Sequence, residues 1–279
     1  FDLILKEKVF SYLNLPNRLL LGAESSLYTY DPENKQLQKA VFDSNNLPLH
    51  DIIKLLSFSD HLVLIATKNN GLFTYNYKTG HTDKLPFGNH TTLLDVYLGS
   101  DGYIYLSSYN KGLFCYSPNG KLIAKYTTKN SQLSNDIVLD ILEKDGDLWM
   151  GTDGGGINIL NLQTQEISCI KHIPGDISSL PVNSITVLYK DSENNLWAGS
   201  VRGGIFGIKE TYIKTYKDVA LNNTNGLSEK AIISLHEDED SILWIGTDGG
   251  GINRYNPFTG KFRHYPSTYG DKVASITSL

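Results

Sequence analysis

Clusters of acidic side chains are the first residues in this sequence that could do chemistry. Asp145–Asp147, Asp191–Asn195 and Glu237–Asp240 each bring several side-chain oxygens together within a few residues. Hard cations such as Ca²⁺ need ligands of this kind. No Glu follows at the spacing that completes a calcium loop, and acidic residues are also common at solvated hairpin tips. We therefore predict turns at these segments and no metal site.

Two glycine-rich segments, Asp153–Gly156 and Asp248–Gly251, indicate a second candidate chemistry, the binding of phosphate. A phosphate-binding loop opens a helix and ends in Gly-Lys-Ser or Gly-Lys-Thr, and neither feature follows here. Tight hairpin turns explain both segments better, because such turns need positive φ, which glycine adopts freely.

Histidines and candidate nucleophiles form no catalytic pattern. The 7 histidines include no His-x-x-x-His pair, and the sequence has no Gly-x-Ser-x-Gly motif. Thr79-Gly80 and Thr259-Gly260 are similar to the blade motif of quinoprotein dehydrogenases, but the tryptophan that should follow is absent. We predict no catalytic residue and no cofactor. An enzyme with few and dispersed active residues, such as a propeller lyase, stays open as an alternative.

Composition and charge exclude several classes of protein. The 279 residues have a formal net charge of -5, and their basic residues are scattered, which argues against a nucleic-acid partner. No apolar run approaches the roughly 18 residues that span a bilayer, so we predict no direct membrane insertion.

Cys115 and Cys169 lack the spacing of a zinc site or redox pair. We predict packed thiols, although a disulfide stays open in an oxidising compartment.

The elements that position all these residues are copies of one repeat. Leu-Trp-Met-Gly-Thr-Asp-Gly-Gly-Gly-Ile-Asn at Leu148 returns almost unchanged at Leu243, a related copy begins at Leu196, and weaker copies lie at 21–28, 65–72 and 106–113. The last glycines of the later copies are 41 to 48 residues apart, which is typical of a four-stranded propeller blade. The tryptophans recur at one strand position, so we predict that they pack between blades rather than stack on sugars. The shared structural positions are Trp149, Gly151, Gly156, Trp197, Gly199, Gly204, Trp244, Gly246 and Gly251.

Each repeat divides into four short β segments bounded by turn-forming residues. We therefore predict an all-β fold, a β-propeller of four-stranded antiparallel blades with six complete blades plus parts of a seventh. Residues 1–5 and 272–279 would supply an outer and an inner strand of that partial blade, which favours a fragment of a larger chain over a six-bladed ring with terminal caps. The predicted blades, numbered 1 to 6 below, span residues 6–43, 50–87, 91–128, 135–173, 182–217 and 229–266 of a single propeller domain.

The repeats resemble the two-component-regulator propeller repeat, found in the periplasmic sensor domains of Bacteroides-type hybrid two-component histidine kinases. The copies at Leu148, Leu196 and Leu243 carry the resemblance, together with the turn at Asp191–Asn195 and the Gly-Leu-Ser segment at 226–228. Blades 1 to 3 depart from the pattern. They have Leu20, Leu64 and Tyr105 at the tryptophan position.

The resemblance implies a non-catalytic segment of a larger ectodomain. It also implies a periplasmic location within an inner-membrane-anchored receptor whose full-length chain is a histidine kinase. The implied partners are an oligosaccharide ligand, the rest of the ectodomain and a second receptor chain in a homodimer. Two functions stay open under this interpretation: oligosaccharide recognition, and scaffolding of the dimer for transmembrane signalling. The lyase alternative would act on a small cyclic or glycan substrate.

The turns between the second and third strands are the candidate recognition surface, because they should share one mouth of the central channel. They differ in sequence from repeat to repeat, and loops that vary on a fixed scaffold are where binding specificity arises. Arg202 replaces a neutral turn residue with a cation that suits a carboxylate or sulfate group. Solvated tips without a ligand explain these turns equally well. The predicted ligand-binding residues are Lys68, Tyr109, Lys111, Asp153, Arg202 and Asp248.

Overall fold

A computed structural model describes residues 7–42, 49–89, 92–176, 178–209, 212–216 and 225–265, and the short strands at 268–269 and 272–273. These residues form strands and turns. The structure contains six four-stranded antiparallel sheets, in each of which the strands follow chain order. The prediction of an all-β propeller with six complete four-stranded blades is confirmed. The chain divides into two compact units, residues 1–126 and 127–279, and a single domain spanning both stays a prediction.

The first unit holds blades 1 to 3. Its strands are β1 Val9–Leu15, β2 Arg18–Ala23, β3 Leu27–Asp31, β4 Gln36–Lys39, β5 Ile52–Ser59, β6 Leu62–Thr67, β7 Gly71–Asn76, β8 Thr82–Lys84, β9 Leu93–Leu98, β10 Ile104–Ser108, β11 Gly112–Tyr116 and β12 Leu122–Tyr126.

The second unit holds blades 4 to 6 and a short two-stranded hairpin. Its strands are β13 Val138–Lys144, β14 Asp147–Thr152, β15 Gly156–Asn161, β16 Ile167–Ile170, β17 Ile185–Lys190, β18 Leu196–Ser200, β19 Ile205–Lys209, β20 Tyr212–Tyr216, β21 Ile232–Glu237, β22 Leu243–Thr247, β23 Gly251–Asn256, β24 Lys261–Tyr265, β25 Thr268–Tyr269 and β26 Lys272–Val273. The predicted partial blade falls mostly on residues 1–5 and 274–279, which lie outside the described residues, and it stays a prediction.

The core of each unit lies between neighbouring blades. One apolar cluster joins Leu20 of blade 1 to Ile52 of blade 2, and another joins Ile157 of blade 4 to Ile185 of blade 5. The glycine before the end of the second strand allows this packing. A Cβ added to Gly199 would lie 2.6 Å from the Ile232 Cγ2 atom of the next blade. This contact explains why the repeat keeps a glycine there.

The first strand of each blade carries a register shift near its start, which in blades 4 and 5 falls between Val138 and Asp140 and between Ile185 and Val187. Side chains beside these bulges reach the first strand of the next blade. The Asp140 Oδ2 atom accepts a hydrogen bond from the Leu188 amide at 2.6 Å, and in the first unit Lys54 and Asp95 form a 2.8 Å ion pair. The bulges thus direct polar groups sideways and link neighbouring blades.

Candidate functional site

All six predicted ligand-binding residues lie in turns between the second and third strands, and all are exposed. In the first unit Lys68 separates β6 from β7, and Tyr109 and Lys111 separate β10 from β11. In the second unit the corresponding turns of blades 4, 5 and 6 contain Asp153, Arg202 and Asp248. A common channel mouth for all six residues stays a prediction.

A buried hydroxyl closes these turns. The Thr152 Oγ1 atom donates a hydrogen bond to the Gly156 carbonyl at 2.7 Å, and the Thr247 hydroxyl donates to the Gly251 carbonyl at 2.8 Å. Thr67 and Ser200 do the same in blades 2 and 5. The sequence analysis overlooked this role, although a Thr or Ser at one fixed position of the repeat was the available signal.

In blades 4 and 5 the glycine that follows the turn is required by its backbone and by its surroundings. Gly156 has a φ of 81°, and a Cβ there would lie 2.2 Å from the Ile170 carbonyl oxygen. Gly204 of blade 5 has a φ of 76° and the same conflict with the Tyr216 carbonyl at 2.3 Å. The third strand can therefore start so close to the fourth only where the side chain is absent.

Blades 4 and 6 hold their turns with a buried asparagine and a serine. The Asn158 Oδ1 atom accepts from the Ser134 amide at 2.9 Å, and its Nδ2 atom donates to the Ser134 hydroxyl at 2.7 Å. That hydroxyl in turn donates to the Gly155 carbonyl within the turn. Asn253 and Ser228 repeat the arrangement in blade 6. We call this pairing the Asn–Ser lock.

Blade 5 lacks the lock. By sequence position Phe206 stands where blade 4 has its buried Asn, and Pro181 stands where blade 4 has its Ser. Phe206 is fully buried, so apolar packing replaces the hydrogen-bond network. The turn presents Val201, which is 40% exposed, and Arg202 to solvent.

The six predicted residues differ in whether their side chains already have partners. The Asp153 Oδ1 atom accepts from the Ser184 hydroxyl at 2.7 Å and so ties its turn to the start of blade 5. By contrast, the side chains of Lys68, Lys111 and Arg202 have no hydrogen bond or ion pair within the described part of the chain. Tyr109 is 51% exposed. The partnerless residues are therefore three cations and an aromatic ring.

In blades 5 and 6 the acidic turn at the other end of the blade accepts a hydrogen bond from tryptophan. The Trp197 indole donates to the Asp191 Oδ2 atom at 2.8 Å, and the Trp244 indole donates to Asp238 at 2.6 Å. Burial by itself would raise the pKa of Asp238, but hydrogen bonds from Trp244 and from two backbone amides outweigh it and lower that pKa. Among the described residues no group of three or more His, Cys, Asp or Glu side chains could hold a metal ion.

Both cysteines are free. Cys115 is buried, and burial raises the pKa of its thiol to about 11. The prediction of a packed thiol is wrong for Cys169, which is exposed because it lies on β16, the outermost strand of blade 4.

Within the described residues there is no helix with the length and hydropathy needed to cross a bilayer.

A family model described as the two component regulator propeller matches residues 132–154, 179–202 and 226–249. Three segments of this chain are therefore similar to the two component regulator propeller repeat. The matched repeats are those of blades 4 to 6, each extending from the loop before the first strand to the turn after the second. This match gives no support to the lyase alternative.

Solved structures similar to this chain come from B. thetaiotaomicron. The extracellular domain of the hybrid two component system BT3049 aligns with a TM-score of 0.74 at 18% identity, over 98% of this chain and 36% of that one. The corresponding domain of BT4673 aligns with a TM-score of 0.56 at 22% identity, over 95% of this chain and 42% of that one. Likenesses at these identities establish the fold alone.

A curated relative is named histidine kinase P4, from Formosa agariphila. It is 25% identical over 187 residues, which are 63% of this chain and 14% of the relative. The chain thus spans less than half the length of each of these proteins.

Proposed function

We propose that this regulator propeller is part of the periplasmic sensor domain of a hybrid two-component histidine kinase. Its ligand would be an oligosaccharide that carries carboxylate or sulfate groups. The binding surface would be formed by the turns between the second and third strands, with Lys68, Tyr109, Lys111 and Arg202 as the contacting residues.

One observation carries the choice of an anionic ligand. Three cations, Lys68, Lys111 and Arg202, stand on exposed turns without an acidic partner among the described residues, whereas the carboxylate of Asp153 is already bonded. A guanidinium group can bind a carboxylate or sulfate through two parallel hydrogen bonds. The exposed ring of Tyr109 offers a flat surface for a sugar. The choice of a carbohydrate rests on the family resemblance.

Signalling would follow from a shift between two arrangements of a receptor homodimer anchored in the inner membrane. A ligand shifts such an equilibrium only if it binds one arrangement more tightly than the other. The parts of the receptor that lie outside this chain would transmit the change to the kinase. The regulator propeller would supply the ligand-dependent contacts.

A thermal-shift screen with oligosaccharides tests the proposal. Sulfated or carboxylated oligosaccharides should raise the melting temperature, because a ligand that binds only the folded protein stabilises it, and neutral oligosaccharides of equal length should not. Arg202→Ala or Lys111→Ala should abolish the shift. Lys121→Ala is the matched control, because Lys121 is an exposed cation on the turn between β11 and β12, at the other end of blade 3.

Absence of any shift, with the protein shown to be folded, would overturn direct recognition by this chain. It would favour the second function, in which the propeller scaffolds the receptor dimer. Equal losses in the Arg202 and Lys121 variants would instead point to nonspecific electrostatic binding.

A further inference from the structure

A cavity of about 220 Å³ lies between blades 5 and 6, at the end of these blades opposite to the turns discussed above. It is bordered by the turns β17–β18, β21–β22 and β23–β24 and by strands β19 and β20. Its apolar lining includes Trp197, Tyr216 and Tyr255, and its acidic lining consists of Asp191, Glu193 and Glu237. The site is thus separate from the proposed oligosaccharide surface.

One glycine lies against the Trp197 ring at the edge of the cavity. Gly207 is the β19 residue directly opposite Trp197, and it also lines the cavity. The corresponding partners of the tryptophans in blades 4 and 6 are Ile159 and Arg254. Blades 1 to 3 carry Thr29, Thr74 and Cys115 at this position. Among the six described blades, only blade 5 has a glycine at this position.

The backbone does not require this glycine. Gly207 is not among the glycines with positive φ, and an added Cβ would meet the Trp197 ring at an ordinary distance of 3.5 Å. Glycine inside a strand weakens the strand and often marks a close approach by a ligand or by another backbone. Gly207 lines the cavity beside the Trp197 ring, so its missing side chain leaves this part of the surface open to a ligand.

Aromatic rings form the apolar side of the cavity. The Trp197 ring centroid lies 6.0 Å from those of both Tyr216 and Tyr255, and the two tyrosine rings are 4.8 Å apart. A 2.6 Å hydrogen bond from the Tyr255 hydroxyl to the Tyr216 hydroxyl holds them together. The rings are thus fixed before any ligand arrives.

The acidic side chains of the cavity have neutral hydrogen-bond partners. Asp191 accepts from the Trp197 indole, and Glu237 accepts from the Ser192 amide at 2.6 Å and hydroxyl at 2.9 Å. Glu193 contacts only the Asn195 amide, at 3.4 Å. Among the described residues no Lys, Arg or His lines the cavity or pairs with these three carboxylates.

We propose that this cavity binds an organic cation, an ammonium or guanidinium group on a short alkyl chain. The faces of Trp and Tyr attract cations through their quadrupoles, and three nearby carboxylates add to that attraction. The same lining disfavours anions. A neutral ligand of equal shape gains from neither effect.

Titration of the 279-residue protein with small cations, followed by tryptophan fluorescence and calorimetry, tests the proposal. The probes are choline and agmatine, and 3,3-dimethyl-1-butanol is the neutral isostere of choline. Choline or agmatine should bind saturably and at least about tenfold more tightly than the isostere. The tripeptide Gly-Arg-Gly distinguishes the source of the cation. Binding of the tripeptide would indicate a basic side chain of a protein, and binding of agmatine or choline alone would indicate a free small cation.

Gly207→Ile is the decisive variant, because blade 4 folds with Ile159 at the same position. It should reduce cation affinity at least about tenfold by filling the cavity, and Glu193→Gln should reduce it about threefold by removing one exposed charge. If Gly207→Ile does not fold, Gly207→Ala, which adds only one methyl group, replaces it in the same measurement. Arg202→Ala should leave cation binding unchanged, which separates this site from the proposed function. Undetectable cation binding, equal binding of the isostere, or full binding by folded Gly207→Ile would each overturn the proposal.

Discussion

Blades 4 and 6 differ from blade 5 in how they satisfy the turn between the second and third strands. All three match the regulator propeller repeat and share the closing hydroxyl and the positive-φ glycine. Blades 4 and 6 add the Asn–Ser lock, in which every polar group of the asparagine side chain is used inside the blade. Blade 5 replaces the lock with Phe206 and Pro181.

The difference separates residues that maintain the scaffold from residues available to a ligand. In blade 4 the acidic tip residue Asp153 is bonded to the next blade, whereas Arg202 of blade 5 has no partner among the described residues. Blade 5 also departs from its neighbours at the opposite end, where Gly207 opens a cavity. Both proposed sites therefore involve the blade that deviates most from the other two.

The largest expected effect concerns the glycine that all three blades share. Gly156→Ala should lower the free energy of unfolding by about 3 kcal/mol, because it combines an unfavourable φ with the conflict at the Ile170 carbonyl. Gly146→Ala is the control. Gly146 has a φ of 81° but nothing within 4 Å of an added Cβ, so about 1 kcal/mol is expected. Urea unfolding measures both, and equal losses would show that the carbonyl contact contributes nothing.

The Asn–Ser lock itself is the next test. Asn158→Ala should cost about 2 kcal/mol, because the Ser134 amide loses its partner inside the blade. A double-mutant cycle with Ser134→Ala should give a coupling energy of about 1 kcal/mol.

Transfer of the lock residue to blade 5 should fail. Phe206→Asn would bury an amide next to Pro181, which offers neither an amide hydrogen nor a hydroxyl group, so we expect a loss of about 2 kcal/mol or more. The measurement is again urea unfolding. If Phe206→Asn left the free energy of unfolding unchanged, blade 5 could accept the lock. The contrast between the blades would then lose its physical basis.

A smaller effect separates the two tip residues. Asp153→Ala should destabilise the protein by about 1 kcal/mol, because the Ser184 hydroxyl loses its acceptor. Arg202→Ala should change stability by less than about 0.5 kcal/mol, as expected for an exposed side chain without partners. Thermal unfolding of the two variants in the absence of ligand checks both values. A clear loss of stability in Arg202→Ala would assign Arg202 to the scaffold.

The smallest effect concerns the hydrogen bond from tryptophan to the acidic turn. It lies at the end of the blade opposite to the second-to-third turns and occurs in blades 5 and 6. The pKa of Asp238 is lowered in the folded protein, so its ionised form adds stability above the usual aspartate pKa of about 3.9, and that stability is lost as the pH falls through the lowered value. Trp244→Phe removes one donor and should raise this pKa. NMR titration of the Asp238 carboxyl group measures the change, and an unchanged pKa would show that the backbone amides alone hold the carboxylate.

The fold was predictable because the sequence repeats itself. Six copies spaced by 41 to 48 residues, glycines at recurring positions and turn residues between apolar segments leave few alternatives to a propeller of four-stranded blades. The same periodicity located the second-to-third turns and placed all six candidate residues on them. A repeated sequence pattern predicts local backbone geometry, because the conformation of each short turn depends on the residues within it.

The tertiary structure decided which side chains have partners. Asp153 accepts a hydrogen bond from Ser184, 31 residues further along the chain, and nothing in the repeat motif around Asp153 indicates this contact. The Asn–Ser lock joins residues 24 positions apart, and the cavity depends on a glycine facing a tryptophan across two strands. Such pairings follow from register and from packing between blades. The pattern of a single repeat does not specify these pairings. The sequence by itself therefore determined the scaffold, whereas the folded chain determined its candidate sites.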